Sequence, residues 1–99
     1  MFVMYDIFMA NMYTTAKKLS ALYGENFGGK ATGRYRISYK LVKDTAGRRR
    51  LYADDIQVLT RAMLEEGFIL VDMDTFFVIL SANSFVNYRR ANADAFLNV

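Results

Sequence analysis

The sequence predicts a single α+β domain, and three observations carry that prediction. Apolar residues recur at spacings of three and four from about Tyr5 to Tyr23, the period of an α-helix. A second helical stretch runs from Leu51 to about Glu66 and stops at Glu65-Glu66-Gly67. Beyond it, Phe68 to Val71 and Phe76 to Leu80 flank the acidic turn Asp72-Met73-Asp74-Thr75, the pattern of a β-hairpin. Ninety-nine residues make one domain with one core, divided into an apolar helix at 1–24, a central unit at 34–80 and a tail at 81–99.

Along the first helix, Tyr5, Phe8, Met9, Met12, Ala16, Leu19 and Tyr23 share one side. Val3, Ile7, Ala10 and Tyr13 form another apolar strip, which a helix buried on one face does not need. Two readings follow. Either the helix is central and covered all round, or Val3, Ile7, Phe8, Ala10 and Tyr13 form the interface of a homodimer. A hydrophobic content of 54% in so small a chain leaves apolar surface for a partner to cover. Asp6 interrupts the apolar run, and neither a basic leader nor a small-residue cleavage site marks a signal peptide. Lys17-Lys18 arrive before the roughly 20 apolar residues of a membrane span are complete. The expectation is a cytoplasmic protein without a membrane segment.

Gly24 reads as the C′ glycine of that helix. The loop from Gly24 to Gly33 approaches the phosphate-binding pattern GxxxxGK[ST] at Gly24, Gly29 and Lys30. Ala31 stands where the magnesium-holding hydroxyl belongs, and a helix leads in where a strand is needed. A plain mobile loop is the better reading. Arg34-Tyr35-Arg36-Ile37 alternates as a short strand with both arginines on its solvent face. Ser38 then caps a helix from Tyr39 to Thr45, closed by Gly47, with Leu41 and Val42 inward and Lys40 and Lys43 exposed. In the longer helix, Ile56, Leu59 and Met63 point inward, joined by Leu51 or Leu64. One more short helix is expected near Asn83 or Ser84.

Charge is distributed unevenly. Between Lys30 and Arg50 there are eight basic residues and one acidic residue, Asp44. The other 78 residues hold five basic and nine acidic ones, so a segment near +7 faces a remainder near −4 within a net +3. Such asymmetry concerns partners rather than fold. Its bland explanation is a solvated surface that keeps an apolar domain soluble.

The order helix, strand, short helix, glycine turn, longer helix and hairpin resembles a winged helix-turn-helix over about residues 34–80. Ile37 to Gly47 is similar to the strand and second helix of such domains, and Val58 to Leu70 to their third helix running into the wing. The resemblance implies that the third helix lies in the major groove of double-stranded DNA. It makes Arg49, Arg50, Tyr52, Gln57 and Arg61 candidates for base contact, and Arg34, Arg36, Lys40, Lys43 and Arg48 candidates for phosphate contact. With six to eight phosphates neutralised, affinity falls on the order of 10³-fold between 50 and 200 mM salt. Two departures count against this. Asp54 and Asp55 occupy the first turn of the presumed recognition helix, and the wing tip, Asp72-Met73-Asp74, is acidic rather than basic.

Catalysis is not expected. The chain has no histidine and no cysteine, which removes the commonest general base, thiolate chemistry and disulfides. Ser38, Ser81 and Ser84 have no histidine to activate them. Asp54-Asp55 and Glu65-Glu66 diverge by about 100° on a helix. Asp72 and Asp74 suit a turn better than a metal site. No cofactor is implied. Two classes of function remain: a DNA-binding transcriptional regulator or DNA-handling protein of a phage or mobile element, and a non-catalytic inhibitor or adaptor. The second would bind protein through the acidic wing at Asp72 and Asp74, for example to block a host nucleic-acid-processing defence complex.

Overall fold

Helical periodicity at the N-terminus becomes a buried stripe in the folded chain. Met12, Thr15, Ala16 and Leu19 lie within 1% of complete burial, and α1 (Phe2–Leu22) lays this stripe against α3 (Ala53–Glu65). The computed structural model describes residues 2–99, with side chains from Asn11 onward. Of the proposed dimer strip, Val3, Ile7, Phe8 and Ala10 therefore have side chains outside the described residues. Tyr13 is 38% exposed.

Between these helices lie β1 (Tyr35–Ser38) and α2 (Tyr39–Thr45). After them come β2 (Phe68–Asp72), β3 (Phe76–Ser81), a 3-10 turn (Ala82–Phe85) and α4 (Ala93–Leu97). The sheet is antiparallel in the order β1-β3-β2, with Ile37 opposite Phe77 and Leu70 opposite Ile79. Alternation turns Ile37, Leu70, Phe77 and Ile79 onto the helices, where all four are buried. On the other face, Arg36 is exposed while Ile69, Val71, Phe76, Val78 and Leu80 are half-buried.

Local chemistry sets the boundaries. The Ser38 hydroxyl accepts the Leu41 N–H at 3.1 Å and starts α2. Gly47, at φ 70°, ends it in a Schellman turn: the Gly47 N–H bonds the Asp44 carbonyl, and the Arg48 N–H bonds the Lys43 carbonyl. α3 begins at Ala53, two residues beyond Leu51, because the Asp55 carboxylate accepts the Tyr52 N–H at 2.8 Å and fixes Tyr52 as the residue before the helix.

Several expectations need correction. Leu41 is 54% exposed and Leu64 is 49% exposed. Val42 and Ala46, four residues apart, define the inward line of α2, so Leu41 stands about 100° away from it. In α3, Asp55, Leu59, Ala62 and Met63 share the buried face, and Leu64 lies one step beyond. Gly24 lacks the left-handed backbone of a C′ glycine. Instead, α1 tightens into i→i+3 bonds, from Tyr23 to Ser20, Gly24 to Ala21 and Glu25 to Leu22. The Tyr35 hydroxyl donates to the Leu19 carbonyl that this tightening bypasses. In the tail, the short helix expected near Asn83 or Ser84 is the 3-10 turn, α4 follows it, and Val86, Tyr88, Phe96 and Leu97 are exposed. No helix among the described residues is long and apolar enough to cross a membrane.

Candidate functional site

The basic candidates fall into separate groups in space. Arg49, Arg50 and Tyr52 occupy the exposed approach to α3, with the Arg50 guanidinium 5.7 Å from the Tyr52 ring centroid. The Schellman turn at Gly47 and the Tyr39 hydroxyl, which donates to the Leu51 carbonyl, hold this approach in place. Stacking of Tyr39 on Phe77, centroids 5.8 Å apart, ties the same segment to the sheet.

Asp54 and Asp55 have opposite fates. Asp54 is exposed, whereas Asp55 is 5% exposed and folded back on the chain. One of its oxygens accepts the Tyr52 N–H, and the other lies 3.9 Å from a guanidinium nitrogen of Arg48. Arg48 is thereby drawn into an intramolecular pair, its side chain only 30% exposed. Lys43 is likewise engaged, 3.5 Å from Asp44. Lys40 is exposed on α2.

Gln57 and Arg61 lie on the outer face of α3 and line an open groove of about 1020 Å³ between that helix and the hairpin tip. Its walls also include Asp54, Thr60, Asp72 and Asp74, so Arg61 shares the groove with three aspartates. Asp74 adopts φ 79°, and its N–H donates to the Asp72 carboxylate at 2.9 Å, so both residues serve the turn. Among the described residues, no cluster of three or more acidic side chains is arranged to hold a metal ion.

Arg34 and Arg36 lie elsewhere. The register places Ser38 opposite Phe76, beside the hairpin tip, and Tyr35 opposite Ile79, so β1 runs towards the tip and its start lies at the other end of the sheet. Arg34 precedes Tyr35, at the end of the sheet remote from the tip. There, Arg34, Arg36 and Lys30 line a hollow of about 530 Å³ whose acidic member is Glu25. The loop feeding this hollow is a two-residue hairpin. Phe27 and Lys30 exchange backbone hydrogen bonds of 3.1 Å around Gly28 and Gly29, both at positive φ. A strand follows it, so the loop has none of the geometry of a phosphate cradle at a helix start.

Two features escaped sequence reasoning. Asp55 caps α3, a role its position three residues after Tyr52 does signal. Tyr35 closes the end of α1 and stacks edge-on against Phe27, centroids 5.3 Å apart. Burial pushes its phenol above the usual tyrosine range. No short motif announces that contact.

The chain matches no protein-family model, and comparison with curated proteins and with solved structures finds no similar protein.

Proposed function

We propose that the chain is a winged helix-turn-helix domain that binds double-stranded DNA through the start of α3. The element order and the β1-β3-β2 sheet fit that architecture. One observation carries the reading: Asp55 is turned inward as a cap, while Arg49 and Arg50 remain exposed at the positive end of a 13-residue helix. Because α3 begins only at Ala53, Arg49 and Arg50, expected from the sequence at the bases, are reassigned to the phosphates beside Lys40, leaving Tyr52 and Gln57 towards the bases. A homodimer through Val3, Ile7, Phe8, Ala10 and Tyr13 belongs to the same proposal and is read from the mass in solution.

Fluorescence anisotropy with a random labelled duplex tests it. Three phosphate contacts imply roughly a 40-fold loss of affinity between 50 and 200 mM salt. Joint replacement Arg49→Glu and Arg50→Glu should abolish binding while the circular dichroism spectrum stays unchanged. Binding that survives this change, or none at low salt, removes the DNA reading. The acidic groove formed by Asp54, Asp72 and Asp74 favours a second reading, a protein-binding inhibitor or adaptor. That role predicts loss of biological activity on Asp72→Lys or Asp74→Lys, and none on the arginine changes.

A further inference from the structure

β1 is the edge strand of the sheet, and its outer side is open. The Tyr39 N–H bonds the Thr75 carbonyl at 3.0 Å, in the same register that pairs Ile37 with Phe77 and Tyr35 with Ile79. Hydrogen-bonded pairs alternate along an antiparallel ladder, so Tyr35 and Ile37 bond inward to β3. Arg36 therefore directs its N–H and C=O outward, and Ser38 its N–H. An edge of this kind is a template for another strand.

The surroundings of that edge are chemically two-sided. On the core side, Leu22, Ile37 and Leu41 line two adjoining hollows of about 310 and 510 Å³, the first also walled by Phe27. Leu41 and Phe27 are 54% and 41% exposed, although both are large and apolar. On the opposite side, alternation places Arg34 and Arg36 together, the Arg36 guanidinium 5.8 Å from the Phe76 ring centroid. Lys30 adds a third cation at the start of the strand.

We propose that this edge accepts an extended segment of a partner protein in which acidic and apolar residues alternate, added to the sheet as a fourth strand. Main-chain hydrogen bonds to Arg36 and Ser38 hold the segment. Its apolar side chains enter the hollow beside Leu41 and Phe27, and its carboxylates meet Arg34 and Arg36. A second copy of this chain fits poorly. Arg36 and Ser38 bond outward, so pairing Arg36 with either of them in another copy brings it opposite or next but one to an arginine, and like charges facing across strands are destabilising. A nucleic acid satisfies the cations but leaves the strand amides and the apolar wall unused. The proposal stands independently of DNA binding by α3.

The test uses a labelled peptide of about six residues, a usual strand length, alternating glutamate and valine. Anisotropy should report saturable binding, with the largest amide shift changes in NMR spectra at Arg36 and Ser38. Exchange of glutamate for lysine in the peptide, and Leu41→Glu or Arg36→Glu in the protein, should each weaken binding at least about tenfold. Leu41 is outside the buried core, so Leu41→Glu keeps the fold and leaves duplex binding unchanged. Absence of binding overturns the proposal, as do equal affinities for the glutamate and lysine peptides. It also fails if the shift changes centre on α3, or if the free protein self-associates through a contact that Arg36→Glu abolishes.

Discussion

Replacing Asp55 with alanine removes two interactions at once, and its neighbour provides the control. One Asp55 oxygen accepts the Tyr52 N–H at 2.8 Å, and the other lies 3.9 Å from Arg48, with the carboxylate side chain 7% exposed. Loss of a helix cap costs about 1 kcal/mol. The ion pair is long, and the Arg48 side chain is still 30% exposed, so solvent screening limits it to about 1 kcal/mol more. Asp55→Ala should therefore destabilise the fold by about 2 kcal/mol, lowering Tm by about 8 to 16 °C in a domain of this size. Asp54 is exposed and contributes mainly through the helix dipole, so Asp54→Ala should cost only about 0.5 kcal/mol. Urea unfolding followed by circular dichroism measures both. In the duplex assay the order reverses: Asp54→Ala should tighten binding by removing an exposed carboxylate near phosphates, whereas Asp55→Ala should not. Equal stability losses for the two variants, or an Asp55→Ala cost below about 0.5 kcal/mol, would refute the capping argument.

Four other substitutions have defined outcomes. Burial raises the Tyr35 phenol above its unfolded value near 10, so its contribution is complete below that pH and is lost as pH climbs beyond it. Tyr35→Phe should cost about 1 kcal/mol at neutral pH and flatten the alkaline decline, as read from urea midpoints across a pH series. Gly47→Ala meets no atom within 4 Å, so its effect isolates the strain of a left-handed residue, about 1 to 2 kcal/mol, whereas Gly24→Ala, without that backbone, should be close to neutral by thermal melting. Phe77 is completely buried at the centre of the sheet, and Phe77→Ala should cost about 3 to 5 kcal/mol in the same urea assay.

The elements up to β3 were readable because each rests on local chemistry, whereas the tail was read as one short helix near Asn83 or Ser84 and holds a 3-10 turn there and α4 besides. Ser38, Gly47 and Gly67 punctuate the middle of the chain through hydrogen bonds and φ preferences that act within a few residues. Alternation around Asp72-Met73-Asp74 did the same for the hairpin, and the excess of cations between Lys30 and Arg50 is a matter of composition. What composition could not do is decide who shares a surface. Leu41 and Val42 are both apolar neighbours, yet packing of α2 against the sheet buries one and leaves the other at the edge groove. Asp54 and Asp55 are identical residues, yet a single rotation of about 100° along α3 sends one to solvent and the other to Tyr52 and Arg48. The basic run likewise looks continuous in sequence, but β1 carries Arg34 and Arg36 to one edge while the turn at Gly47 carries Arg49 and Arg50 to the head of α3. Short-range hydrogen bonding and side-chain period are properties of the sequence by itself. The grouping of charges and the opening of an unpaired strand edge depend on contacts between residues far apart in the chain, and only the tertiary structure decides them.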